Sequence, residues 1–131
     1  MSRHVLVPMD DSAPARAALD HALEWVPADR VTVVFAVDGL EAEYGSVVSG
    51  DDEPAFFADV RDIAAACDGS LETTVVEGSG VAEAILEYAT EADVDAIVMG
   101  SEGKAGVSRL LLGSVAEAVT RRAEVPVTIV P

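Results

Sequence analysis

Along the chain, short apolar runs rich in β-branched residues alternate with stretches whose apolar positions recur every three or four residues. These are the marks of buried strands and amphipathic helices. Residues 4–9 predict a first strand. Ser12 then stands as an N-cap with Pro14 in the first turn, where its missing N–H costs little. Ala15, Ala18, Leu19, Ala22, Leu23 and Val26 form one helical stripe, closed by Pro27 and Asp29. Residues 31–37 are nearly all apolar, as in a strand buried on both faces. Phe57, Val60, Ala64 and Cys67 mark a second helix ended by Asp68-Gly69, and residues 71–76 a third strand. Ala82, Ile85, Leu86 and Ala89 mark a third helix. Residues 94–99, 114–122 and 125–130 complete the pattern as strand, helix and strand.

Between the second strand and second helix, residues 38–53 break the rhythm with six acidic residues, three glycines and no base. This predicts a long loop. The remaining βαβαβαβαβ order predicts one α/β domain over residues 1–131, with a five-stranded parallel sheet and helices on both faces. The Rossmann-like strand order 3-2-1-4-5 puts the topological switch point between strands one and four. Ligands of such sheets bind outside the carboxyl ends of the strands at that point. Residues 8–12 and 100–113 meet there.

The second of these segments carries the candidate chemistry. Gly100, Gly103 and Gly113 allow backbone amides to approach a bulky anion, and Gly113-Ser114 opens a helix whose free amides favour phosphate. Ser114 can cap that helix or bond a phosphate oxygen. Lys104 and Arg109 lie in the same segment, and Lys104 is the chain's only lysine. The spacing does not fit a P-loop, because Gly103-Lys104 is followed by Ala105. Gly78-Ser79-Gly80 lacks a third glycine and reads as a tight turn with Ser79 near the next helix cap.

Charge narrows the partners. With 24 acidic residues against 8 lysines and arginines, the net charge is -16, which argues against nucleic-acid binding. A lysine-poor acidic surface of this kind resembles those of halophilic proteins and predicts a salty cytoplasm. No apolar run reaches the ~20 residues of a membrane helix, and the N-terminal residues carry no leader pattern, so a cytoplasmic protein is expected. Cys67, alone, excludes an internal disulfide and reads as a small core residue. Trp25 and Phe57 read as packing residues, and His21 as a surface residue; His4 and His21 share no motif. Arg121 and Arg122 suit the last turn of the fourth helix. Of the adjacent Asp10 and Asp11, the strand exit predicts one functional and one solvated acid.

The chain also resembles a known family, the universal stress proteins, and in particular their ATP-binding branch. The likeness rests on Gly100, Gly103, Gly113 and Ser114, spaced Gly-two-Gly-nine-Gly-Ser, and on the closing Val125-Pro126-Val127. It extends to residues 5–12 as the family's first strand and acidic loop, and to Phe35-Ala36-Val37-Asp38. The resemblance implies that Pro8 and Val37 line an adenine pocket, and that Met99 and Gly100 sit beside the ribose. Asp10 would face the ribose or a Mg²⁺ or Mn²⁺ ion accompanying the nucleotide. Gly100, Gly103, Gly113 and Ser114 would hold the phosphates of ATP, ADP or AMP; Lys104 and Arg109, rare positive charges in so acidic a chain, and Val115 complete the candidate contact set. It also implies a homodimer through Val127–Val130. Glu102 departs from the family, which often carries histidine or arginine there. No nucleophile–base pair is visible, so a regulatory binding module is expected rather than an enzyme. Slow ATP hydrolysis and a dimer that binds no nucleotide are the alternatives.

Overall fold

The computed structural model describes residues 3–39, 54–66, 70–101 and 112–131. Five strands, β1 (His4–Pro8), β2 (Arg30–Asp38), β3 (Ser70–Gly78), β4 (Ala96–Gly100) and β5 (Val127–Val130), form one parallel sheet in the order β3-β2-β1-β4-β5. The helices α1 (Ala13–Trp25), α2 (Phe57–Ala65), α3 (Val81–Glu91) and α4 (Ser114–Arg122) connect them. The strand order and the helices on both faces are those expected from the sequence. Cys67 and residues 40–53 of the acidic segment lie outside the described residues.

Alternation along the central strands divides the core in two. Val5, Val7, Val31, Val33 and Val98 pack with Ala18, Leu19, Phe57 and Val60 of α1 and α2. Leu6, Val34, Ile97 and Met99 pack on the other face with Ile85, Ala116 and Val119 of α3 and α4. This is why β1, β2 and β4 are apolar at successive positions: each face of the sheet has its own helix layer.

The element boundaries moved where backbone pairing and side-chain pattern part company. β3 pairs with β2 from Ser70 to Gly78, longer than its alternation suggests, because ladder hydrogen bonds do not require apolar side chains. β4 starts at Ala96 rather than residue 94. Asp93 takes a left-handed turn (φ 53°), and Asp95 clamps β1, its N–H donating to the His4 carbonyl at 2.7 Å and its carboxylate accepting the His4 N–H at 2.8 Å. β5 starts at Val127 rather than residue 125; the Pro126 carbonyl accepts the Ile97 N–H at 2.9 Å, while its ring offers no donor. On α3 the deepest residues are Ala84 and Ile85. Gly78 explains Ala84: a Cβ on Gly78 would lie 3.0 Å from the Ala84 backbone. Gly80 is the cap residue of α3, with Ser79 directly before it.

One side chain differs from expectation, and another lies where no motif pointed. Trp25 is not a packing residue; at the last position of α1 it is 70% exposed, since the buried stripe of that helix runs through Ala15, Ala18, Leu19 and Ala22. His4, which no motif singles out, is buried at the opposite end of the sheet from the switch-point loops. Its Nε2 lies 2.7 Å from Thr32 Oγ1 and its Nδ1 3.4 Å from the Ala92 carbonyl. Thr32 Oγ1 lies 3.2 Å from Glu72 Oε1, and Arg30 pairs with the same carboxylate. The polar cluster runs across three strands, and no buried side-chain polar atom among the described residues lacks a partner.

Ion pairing shapes the acid response. Hydrogen bonding from Arg30 holds the Glu72 carboxyl below its ordinary value, and Arg122, which grips Glu83 through both carboxylate oxygens, does the same there. A carboxyl lowered in the folded state binds protons more readily when unfolded. Its contribution is therefore complete above the ordinary value of 4.5 and is lost as the pH falls below it. Unfolding titrations between pH 6 and pH 3 should show stability falling in that window. Glu72→Gln and Glu83→Gln should flatten the fall modestly, because both pairs meet solvent.

Candidate functional site

The switch point is visible in the hydrogen bonding. β1 pairs with β2 over all five residues, His4 to Pro8, but with β4 at Val5 and Leu6. Beyond those positions the two strands turn to opposite neighbours. The Met9 N–H donates to the Val34 carbonyl on β2 at 2.8 Å, whereas the Ser101 N–H donates to the Val130 carbonyl on β5 at 2.8 Å. The carboxyl ends of β1 and β4 therefore part, and the segments that leave them line the rim of the gap. Pro8, at the end of β1, has no N–H to offer across it.

On one side of the gap the chain runs from Met9 into α1. The Asp10 carboxylate accepts the Ser12 N–H at 3.1 Å, tightening the turn. Ser12 then caps α1 as its sequence position predicts, its Oγ accepting the Ala15 N–H at 3.2 Å. Asp11 points elsewhere. Its Oδ1 accepts from Arg16 Nη2 at 2.6 Å and from Arg16 Nε at 3.1 Å, and Arg16 Nη2 also reaches Asp59 of α2 at 3.1 Å. The two adjacent acids are thus held in different ways, although the second is ion-paired rather than merely solvated.

On the other side, Gly100 has a structural reason of its own. A Cβ there would lie 2.7 Å from the Pro14 carbonyl carbon and 2.9 Å from the Ala15 nitrogen. Only glycine lets the first turn of α1 lie directly on the end of β4. Ser101 is buried, and its carbonyl accepts the Gly113 N–H at 2.7 Å, which joins the base of the intervening segment to the start of α4. Gly113 is the cap residue of α4 and has no side chain with which to cap that helix. Ser114 therefore does not serve as the cap; it is the first helical residue and is exposed. Through the Gly113–Ser101 bond the start of α4 is tied to the residue that follows β4, and a helix start of this kind favours an anion.

Pro8, Met99 and Gly100 lie at the carboxyl ends of β1 and β4, Asp10 follows β1, Gly113, Ser114 and Val115 open α4, and Val37 is near the end of the adjoining strand β2. Met99 is buried in the core shared with α3 and α4. Glu102, Gly103, Lys104 and Arg109 lie outside the described residues. Ser101 and Arg16 are the residues that sequence reasoning missed. Ser101 acts through its backbone, and Asp59 stands 43 positions from Arg16, so no local spacing announces either. Among the described residues, no group of three or more histidine, cysteine, aspartate or glutamate side chains could hold a metal ion. No described helix is long and apolar enough to cross a membrane.

The chain has clear relatives. A model described as the Universal stress protein family matches residues 1–131. Universal stress protein MJ0531 of Methanocaldococcus jannaschii is 32% identical over 139 residues, covering 98% of this chain and 81% of that protein. The solved structure of MJ0577, a universal stress protein of the same organism, is similar with a TM-score of 0.79 at 28% identity, covering 99% of this chain and 96% of that one. A universal stress protein crystallised in complex with cAMP is similar with a TM-score of 0.68 at 25% identity, covering 99% and 97% of the two chains.

Proposed function

The chain belongs to the universal stress protein family, and from that premise we propose that it is a regulatory module that binds an adenine nucleotide, ATP foremost, as a homodimer. The observation that carries the reading is the parting of β1 and β4 at the switch point, bordered by Asp10 on one side and by the Gly113-capped start of α4 on the other. The similar protein crystallised with cAMP supports an adenine nucleotide as the ligand class. In this reading Pro8 and Val37 flank the base, and Met99 and Gly100 adjoin the ribose. Asp10 meets the ribose or a Mg²⁺ or Mn²⁺ ion carried by the phosphates. Gly103, Lys104, Arg109, Gly113, Ser114 and Val115 receive the phosphate tail. β5 is an edge strand with half-buried apolar side chains, and an unpaired edge of this kind favours a second copy. The excess of acid over base supports work in a salty cytoplasm.

Mass spectrometry of small molecules released from the natively purified protein should detect an adenine nucleotide. Calorimetric titration at molar salt should show ATP binding that Asp10→Ala weakens by about tenfold or more, the scale of a lost charge-assisted contact. Absence of nucleotide, together with no heat of binding for ATP, ADP or AMP, would remove the reading. Sedimentation should give the mass of two chains.

A further inference from the structure

We propose that Arg16 is a positioning residue for the nucleotide's phosphates, holding Asp11 along α1 so that a polyanion at the gap is not met by two neighbouring carboxylates. The inference rests on the nucleotide reading above and names a determinant of it.

Of the two adjacent acids, Asp10 is the one the nucleotide reading assigns to the ribose or the metal, which leaves Asp11 as the carboxylate whose charge works against the phosphates, and the two are held differently. Asp10 is turned onto its own loop by the Ser12 N–H at 3.1 Å. Asp11 is drawn to the Arg16 guanidinium, which approaches it with two nitrogens, at 2.6 and 3.1 Å. Arg16 is itself held from a second element, since Nη2 meets Asp59 near the start of α2 at 3.1 Å. The guanidinium is a planar fork with fixed donors, so bridging two carboxylates sets the direction of its own side chain and of Asp11. It also places a positive charge between them. The three side chains are partly exposed, so the pair adds little to folding stability. Its effect on an approaching triphosphate is larger, because one carboxylate acts on every phosphate charge at once. At a separation of one screening length (~10 Å at ~0.1 M salt) and in a surface dielectric, loss of the compensating charge weakens binding roughly fivefold, and hardly at all at ~1 M.

The test is calorimetric titration of the full chain with ATP and with AMP at both salt concentrations. Arg16→Gln should weaken ATP roughly fivefold at the lower salt, weaken AMP less, and lose the difference at the higher salt. Arg16→Lys should keep most of the affinity, and Asp11→Asn in the Arg16→Gln background should restore it. Unchanged ATP affinity in Arg16→Gln overturns the inference. So does a loss equal for ATP and AMP that persists at ~1 M salt and is not relieved by Asp11→Asn, because that would mark a structural role alone. Failure of the unaltered protein to bind either nucleotide overturns the nucleotide reading itself. The two failures are therefore distinct, and thermal melting of each variant verifies that it is folded.

Discussion

Gly100→Ala is expected to lower the unfolding free energy by about 3 kcal/mol, an overpacking cost, and the melting temperature by roughly 10 °C. The added methyl would enter space held by backbone, 2.7 Å from the Pro14 carbonyl carbon and 2.9 Å from the Ala15 nitrogen. A flexible side chain could swing aside; the first turn of a helix cannot. Relief would require α1 to lift from β4, which would strip contacts from Ala15, Ala18 and Leu19 in the core. The same displacement would carry the Ser12 cap and the Asp10 turn away from the gap, so nucleotide affinity should fall with stability. Gly80→Ala is the control. There a Cβ meets nothing closer than the Glu83 side chain at 3.7 Å, and the change should be under about 1 kcal/mol. Urea unfolding of the two variants beside the parent makes the comparison, and equal stability of Gly100→Ala and parent would mean that α1 does not rest on β4.

Gly100 also illustrates how far the sequence could be read. Its spacing from Gly103 and Gly113 marks the segment, and the switch-point position follows from counting elements. What spacing could not reveal is that Gly100 answers to α1, whose first turn lies more than 80 positions earlier in the chain. Periodicity reports which face of an element is buried, not what covers it. For that reason the stripe of α1 was legible down to Ala22, while Ala84 was missed: it is buried beneath Gly78, a contact set by close approach rather than by hydrophobic rhythm. His4 escaped for a similar reason. Its partners Thr32 and Glu72 sit on neighbouring strands, and only strand register brings them together. Ser12 was legible because a cap is local chemistry, resting on a side chain three residues from the amide it receives.

Charge supplies the remaining large effect, and its sign depends on a competition. The described ion pairs, such as Arg16–Asp11, Arg121–Glu117 and Arg122–Glu83, are exposed, add little to stability, and are weakened by salt. Against them stands the self-repulsion of a net charge of -16. Confining that charge to the radius of a small folded domain, rather than spreading it over an unfolded chain, costs on the order of 10 kcal/mol at ~0.1 M ionic strength. Roughly half of this cost is relieved when the screening length shrinks to ~3 Å. The relief exceeds what the weakened pairs lose, so sodium chloride should stabilise the protein by about 3–5 kcal/mol between ~0.1 and ~1 M. The melting temperature should rise by more than about 10 °C. Asp20, Glu24, Glu87 and Glu91 are exposed on α1 and α3. Converting all four to their amides should raise the low-salt melting temperature and flatten the salt curve, which separates charge screening from a general salting-out effect. A melting temperature that stayed level from ~0.1 to ~1 M sodium chloride would show instead that the exposed pairs balance the repulsion, and would remove the physical case for a protein built to work in concentrated salt.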